Sequence, residues 1–123
     1  MWPHIGKQIL DVNGRVVREV QPKILKEKVA APEVLQVVRE GMAGSASYGT
    51  SRWMQYLPVK AAGKTGTAQF PGDEPGHEHA WYTAFAPYDD PQIVITVLVE
   101  KGGEGSTASV PVVYDAMNYY FSR

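Results

Sequence analysis

The feature that most constrains this chain is a run of small residues around Lys64. The run reads Val-Lys-Ala-Ala-Gly-Lys-Thr-Gly-Thr-Ala-Gln and occupies positions 59–69. A segment with so little side-chain bulk lets a ligand or another backbone lie close against its main chain. The sequence therefore predicts that this segment can be approached closely along its backbone.

Two general interpretations of Gly63–Thr65 do not require a specialised site. A phosphate-binding loop needs a glycine five places before Gly63 and a helix that starts at the lysine. Position 58 is Pro58, and Gly66 is a poor residue for a helix start, so the sequence disfavours that loop. The plainer interpretation is a strand with a solvated lysine.

A third interpretation depends on the surrounding sequence. Lys64-Thr65-Gly66 matches the Lys-Thr-Gly element of the penicillin-recognising serine enzymes, which lies on a strand beside the reactive serine. The context extends over Ala62–Gln69, His79–Tyr88, Pro91-Gln92 and Val99–Gly103. In this order the segments resemble the C-terminal part of the transpeptidase domain of class B penicillin-binding proteins, and most closely the elongation type. The resemblance covers essentially the whole chain and implies a strand from about Val59 to Gln69.

The composition is that of one small globular domain. The chain has 123 residues, 44% hydrophobic and 20% charged, which is typical of soluble proteins. A net charge of −1 without a basic cluster argues against nucleic acid as a partner. No apolar run is long enough to span a membrane, and no cysteine is present. We expect the isolated chain to be soluble.

The N-terminal third predicts a hairpin and then a helix. Asn13-Gly14 lies between apolar segments, a strong signal for a hairpin of Gln8–Leu10 with Arg15–Val20. A helix should start near Pro32, because proline suits a first turn. We expect it to stop at Gly41 to Gly44 and to be followed by a loop over Ser45–Ser51. Its buried face would hold residues at helical spacing, namely Val34, Leu35, Val38 and Met42.

The C-terminal part predicts two more strands and a helix. The strands should span His79–Ala86 and Gln92–Glu100, joined by a turn over Pro87–Pro91. The second is nearly all apolar, as expected of a strand covered on both faces. A helix should run from about Thr107 to Phe121 with Pro111 in its first turn. Its inner stripe would hold Val113, Ala116, Met117 and Tyr120.

These elements predict an α+β fold, an antiparallel sheet with flanking helices. Through the resemblance, this is the C-terminal portion of the penicillin-binding and serine β-lactamase-like transpeptidase fold. Phe70–Glu78 is rich in proline and glycine and should form a loop over one end of the site. His77 and His79 lack a clear third ligand, so we expect surface or strand-edge histidines, no metal and no cofactor.

The resemblance implies a reaction and roles for the small-residue run. The reaction is acyl transfer from a D-Ala-D-Ala stem peptide through a serine ester to an amine of a neighbouring stem. Lys64 would place a positive charge beside the reacting centre, and Thr65 would offer its hydroxyl to the substrate carboxylate. Gly66 would leave room for ligand, and Thr67 would donate its backbone N–H to the oxyanion hole. The main chain from Thr67 to Gln69 would pair with extended substrate.

Two further motifs of the family do not occur in this sequence. No serine begins Ser-x-x-Lys, which carries the nucleophile, and none begins Ser-x-Asn. We therefore expect residues 1–123 to be a partial transpeptidase domain, with Met1 at an internal boundary, that is inactive and forms no covalent penicillin adduct alone. The resemblance implies a parent anchored in the cytoplasmic membrane, with this domain in the periplasm or on the extracellular face.

The resemblance also implies partners and leaves rival functions. The parent would bind stem peptides and β-lactams and would assemble with a membrane glycan polymerase and other elongation-complex proteins. In the family, strands from upstream cover the strand predicted at Gln92–Glu100, so an exposed edge should make this chain self-associate. The rivals are a penicillin-recognising sensor or non-catalytic scaffold, and the septal homologue that performs the same reaction.

Overall fold

The computed structural model describes residues 5–70, 72 and 77–123. The chain divides into two compact units, Met1–Pro32 and Glu33–Arg123. The described part of the first unit contains a two-stranded hairpin, and that of the second contains a three-stranded sheet with helices. The predicted α+β class is confirmed.

The hairpin of the first unit forms at the predicted place. The carboxylate of Asp11 accepts hydrogen bonds from two backbone N–H groups of the turn, at 2.8 and 2.9 Å. Gly14 follows with a φ of 78°, a conformation that glycine adopts without steric cost. The antiparallel strands are β1, Gln8–Leu10, and β2, Val16–Glu19. The Asp11 side chain therefore shapes this turn together with the Asn-Gly step.

The second unit is built on an antiparallel sheet in the order β3-β4-β5. Its strands are β3, Ala62–Ala68, β4, His79–Ala86, and β5, Ile93–Val99. The predicted β4 has the observed bounds, β5 is one residue shorter at each end, and β3 starts later than predicted. Because β4 is central, both β3 and β5 lie at edges of this three-stranded sheet.

The core lies between this sheet and the C-terminal helix α2, Gly105–Phe121. Every second residue of β4 is buried against α2: Ala80, Tyr82, Ala84 and Ala86. The hydroxyl of Ser109 is buried and donates to the carbonyl of Ala80 at 2.9 Å. This bond ties the helix to the central strand, because a buried hydroxyl without a partner would be costly.

The register of α2 differs from the prediction in two ways. The helix begins at Gly105, so Pro111 lies beyond its first turn. Val113 and Met117 are buried as predicted, but Ala116 and Tyr120 are exposed. Gly105 sets this register, because a Cβ there would lie 2.8 Å from the Gly66 carbonyl oxygen. The helix start therefore packs directly against the backbone of β3.

Helix α1, Pro32–Ser47, starts where predicted but does not stop at Gly41 to Gly44. Gly44 and Ala46 are buried, so packing of its last turns maintains the helix through the glycines. The predicted loop over Ser45–Ser51 is therefore wrong in its first half. A short 3₁₀ helix that was not predicted, Arg52–Tyr56, begins directly after Ser51.

Two predicted apolar faces are open in this structure. On α1, Val34, Leu35 and Val38 are 54%, 47% and 53% exposed, which contradicts the predicted buried stripe. On β5, Val94 and Leu98 are 66% and 42% exposed, so helix α2 covers only one face of the strand. Periodicity identifies an apolar face, but burial also needs a partner. Among the described residues, no element covers either face.

Candidate functional site

The small-residue run lies on a strand at the edge of the sheet, as predicted. Within β3, Lys64 and Thr67 are exposed, while Thr65 and Gly66 are half-buried. Gln69 is exposed just beyond the end of the strand. The structure therefore brings the predicted site residues together along one accessible segment.

The free edge of β3 presents the backbone of Thr65 and Thr67. The ammonium Nζ of Lys64 donates to the carbonyl oxygen of Thr65 at 2.7 Å, so this carbonyl is accessible to a side chain and points away from β4. Backbone groups of a strand alternate in direction, so the N–H and C=O of Thr67 face the same edge. In the described part of the chain, no further strand pairs there.

Gly63 and Gly66 lack a side chain for different structural reasons. A Cβ at Gly63 would lie 2.6 and 2.8 Å from Cζ and Cε2 of Tyr82, and closer still to its hydroxyl oxygen. Gly63 is therefore required by packing against a buried ring. A Cβ at Gly66 would meet only Trp81 Cβ, at 3.3 Å. At Gly66 the absence of a side chain leaves the outer face of the strand open.

A chain of hydroxyl groups connects the Thr65 side chain to the end of α1. The Oγ1 atom of Thr65 lies 3.0 Å from Oγ1 of Thr50. Thr50 Oγ1 lies 3.3 Å from Ser45 Oγ, which in turn lies 2.9 Å from Ser51 Oγ. Ser51 is completely buried and Thr50 is exposed. This series of hydroxyl groups thus runs from the buried interior to the candidate site.

The turn after α1 holds Thr50 in place. The backbone N–H of Gly49 donates to the Gly44 carbonyl at 3.1 Å, and that of Ser51 donates to the Ser45 carbonyl at 3.0 Å. A Cβ at Gly49 would lie 2.8 Å from the Cα of Ser45, so only glycine fits this close return of the backbone. The geometry of the turn directs Thr50 toward β3.

The phenol of Tyr82 lies beneath the site. Burial raises the pKa of Tyr82 above its ordinary value of 10.0, and a hydrogen bond with the Ser51 side chain offsets part of this effect. That interaction is far from ideal geometry, since no described residue gives the Tyr82 hydroxyl a well-formed hydrogen bond. Tyr82 therefore remains a neutral phenol at physiological pH.

The histidines of the predicted loop region do not assemble a metal site with other described residues. His79 begins β4, its ring stacks on Phe70 at 4.4 Å, and its Nδ1 accepts from the Lys101 N–H at 3.2 Å. Residues 5–70, 72 and 77–123 contain no group of three potential metal ligands. Most of the predicted Phe70–Glu78 loop lies outside the described residues, at 71 and 73–76.

Comparison with known proteins decides the family. The model of the penicillin-binding protein transpeptidase domain matches residues 1–118. The chain belongs to this family. Peptidoglycan D,D-transpeptidase MrdA of Haemophilus influenzae is 32% identical over 138 aligned residues, covering 98% of this chain. The alignment covers 21% of MrdA, so the chain spans about a fifth of that relative's length.

Solved transpeptidase structures share the fold. PBP2 of Pseudomonas aeruginosa, in complex with WCK 5153, matches with a TM-score of 0.71 and 32% identity over 88% of this chain and 24% of its own. PBP2 of Helicobacter pylori, in complex with MreC, matches with a TM-score of 0.60 and 37% identity over 73% of this chain and 17% of its own. No helix in the described part of this transpeptidase chain is long and apolar enough to cross a membrane.

The structure adds one residue that the sequence prediction omitted from the site. Thr50 lies in the segment Ser45–Ser51 that the sequence predicts as a loop, with no role assigned to it. Its contact with Thr65 joins positions 15 residues apart, and no periodicity in the sequence signals it. Trp81 is also partly exposed beside Gly66, on β4.

Proposed function

We propose that residues 1–123 form the C-terminal, substrate-docking part of a transpeptidase domain that cross-links peptidoglycan stem peptides. The observation that carries this proposal is the free edge of β3, where Lys64–Thr67 are accessible and backbone groups are unpaired by strands in the described chain. The reactive serine would come from a part of the protein outside these residues, because the sequence lacks Ser-x-x-Lys and Ser-x-Asn.

Lys64 and Thr65 would bind the negatively charged end of the donor peptide. Within the described residues, the exposed Lys64 ammonium donates to the neighbouring Thr65 carbonyl, an interaction that a carboxylate replaces at little cost. The hydroxyl of Thr65 would donate a hydrogen bond to the same carboxylate. Lys64 would also support proton transfer at the serine supplied from elsewhere.

Gly66, Thr67 and Gln69 would hold the extended part of the substrate. A peptide lying along the free edge would pair with the backbone of Thr67 to Gln69 as an added strand. The N–H of Thr67 would stabilise the oxyanion of the tetrahedral intermediate, where loss of one donor typically costs about 3 kcal/mol. A side chain at Gly66 would obstruct this approach.

The wider setting of the reaction follows from the family. The parent would take D-Ala-D-Ala stem peptides as donors, release the terminal D-alanine, and transfer the acyl group to a neighbouring amine. β-Lactams would acylate the same serine. The complex of Helicobacter pylori PBP2 with MreC supports assembly of the parent with elongation proteins. We place the parent on the cytoplasmic membrane with this domain on its outer side.

Labelling with a fluorescent penicillin tests whether the reactive serine lies outside these residues. The 123-residue chain should acquire no covalent label on a denaturing gel, because it lacks the nucleophile motif. A band that disappears when the protein is boiled before labelling would contradict this expectation.

Reconstitution tests the role of the docking strand. This chain is mixed with the segment of Haemophilus influenzae MrdA that precedes the matched region, and label should then appear on that segment. Lys64→Ala should slow the labelling at least about tenfold, since it removes a charge from the site. Lys60→Ala is the matched control, because it removes a charge that stacks on Tyr88 at 4.2 Å. Equal rates for the two variants would refute the assignment of Lys64.

The chain would also self-associate through β5. Its outer edge is unpaired within the described residues, and its open face carries Val94 and Leu98. Such an edge pairs readily with a second copy. Light scattering should detect dimers or larger assemblies that Val94→Lys reduces, whereas a strict monomer at high concentration would exclude this contact.

A further inference from the structure

We propose that Thr50 is a positioning residue that fixes the Thr65 hydroxyl so that it donates outward to a bound carboxylate. This inference rests on the proposed docking function of β3. Thr50 does not touch the ligand in this arrangement. It acts through Thr65, whose Oγ1 lies 3.0 Å from its own.

The number of hydroxyl protons limits which hydrogen bonds Thr65 can make. Each hydroxyl has one proton to donate and can accept from two partners. If Thr65 gave its proton to Thr50, none would remain for a ligand. A carboxylate is a stronger acceptor than a hydroxyl, so in the bound state Thr65 donates to the carboxylate. The contact between the two threonines is then retained only if Thr50 donates to Thr65.

The remaining hydroxyl groups of the series allow Thr50 to donate to Thr65. Ser45 Oγ lies between Thr50 Oγ1, at 3.3 Å, and Ser51 Oγ, at 2.9 Å. Ser51 can donate to Ser45, Ser45 to Thr50 and Thr50 to Thr65, so each of these three hydroxyls gives its one proton to the next and the Thr65 proton stays available for the ligand. Hydrogen bonds aligned in one direction polarise one another, which strengthens the last donor.

Burial makes the inner end of this chain stable. Ser51 is completely buried, and its N–H is bonded to the Ser45 carbonyl at 3.0 Å. Water competes less for a buried hydroxyl than for an exposed one, so the hydrogen bond between Ser51 and Ser45 is held more firmly than the outer contacts. Thr50 and Thr65 lie at the accessible end, where a ligand can reach them.

The first experiment measures the side-chain rotamer of Thr65 in the 123-residue chain by three-bond NMR couplings to Cγ2. Thr65 should occupy a single χ1 rotamer in the wild type and in Thr50→Ser, which retains the hydroxyl. Thr50→Val preserves the shape but removes the hydroxyl, so χ1 should become averaged. Thr50→Ala provides a second, smaller variant. Averaging already present in the wild type, or an unchanged rotamer in both variants, would overturn the proposal.

Thr96→Val is the matched control. The Thr83 and Thr96 hydroxyls form a second threonine pair, also 3.0 Å apart, between β4 and β5. Loss of the hydrogen bond between Thr83 and Thr96 should leave the Thr65 rotamer unchanged. Averaging of Thr65 in this control would mean that any lost threonine pair loosens the sheet, and the proposal would fail.

The second experiment titrates diacetyl-Lys-D-Ala-D-Ala and follows the Thr65 methyl resonance, with the C-terminal amide of the peptide as the uncharged comparison. Thr50→Val should weaken binding of the acid about fivefold, the size of one net hydrogen bond, and leave the amide unaffected. Weaker binding with an unchanged rotamer would overturn the positioning role. No binding by the wild type would refute the docking function while the rotamer result still decides the role of Thr50.

Discussion

At the residue scale, a glycine serves either packing or access, and the structure separates the two cases. Gly63 faces the fully buried ring of Tyr82, whereas Gly66 has only Trp81 Cβ within reach. Sequence alone shows two glycines in one run of small residues.

Gly63→Ala and Gly66→Ala should therefore differ in their effect on stability. Gly63→Ala should lower the free energy of unfolding by about 1–3 kcal/mol, because its Cβ overlaps a ring that cannot move aside. Gly66→Ala should change it by less than about 1 kcal/mol and instead weaken peptide binding. Urea unfolding and the peptide titration measure both effects, and equal destabilisation by the two substitutions would contradict this division.

Tyr82 should make stability depend on alkaline pH. The folded pKa of Tyr82 is raised above 10.0, so the unfolded chain loses this proton first. The contribution of neutral Tyr82 to the free energy of unfolding is fully present below pH 10. It is lost as the pH rises from there through the folded pKa of Tyr82. Urea unfolding of Tyr82→Phe should show a weaker decline above pH 10 than the wild type. Parallel curves would mean that Tyr82 titrates normally.

At the scale of elements, α2 packs against β3, the strand of the candidate site. Its first residue, Gly105, lies against the backbone of Gly66, and Ser109 bonds to Ala80. The helix buries Val110, Val113 and Met117 against the sheet. The position of the site therefore depends on a helix that contributes no residue to it.

Truncation of the buried face of α2 should be costly. Met117→Ala removes a fully buried side chain and should destabilise the chain by about 2–5 kcal/mol. Val112→Ala, on a residue that is 49% exposed, should cost less than about 1 kcal/mol. Thermal unfolding followed by circular dichroism compares the two. A cost for Met117→Ala no larger than that for Val112→Ala would mean that α2 does not support the sheet.

At the scale of the whole molecule, the chain contains two units of unequal internal packing. All residues of β1 and β2 are exposed, and an isolated two-stranded hairpin is marginally stable in water. The second unit contains the buried core around Tyr82 and Met117.

Amide hydrogen exchange should report this difference. The N–H groups of β1 and β2 should exchange much faster than those of β4, since local opening of the hairpin exposes no core. The β4 amide of Tyr82 is an internal reference. Equal protection of Ile9 and Tyr82 would show that the hairpin is stabilised to the same degree as the core.

Much of this protein follows from the sequence. The Asn-Gly turn, the apolar strands and the start of α1 are local signals, because backbone preferences and side-chain alternation act over a few residues. The family is recognisable because several short motifs, Lys64–Gly66 among them, stand in the sequence in the family's order. The chain's lack of Ser-x-x-Lys is also a property of sequence alone.

Tertiary structure decided the features that depend on contact between distant segments of the chain. Burial of Gly44 and Ala46 maintains α1 through two glycines, and contact between Gly105 and Gly66 sets the register of α2. Val34 and Val94 are exposed because no element among the described residues covers them. Only the fold brings the Thr50 hydroxyl to Thr65. The physical reason is that burial and hydrogen bonding are properties of pairs of surfaces, whereas a sequence pattern describes one surface at a time.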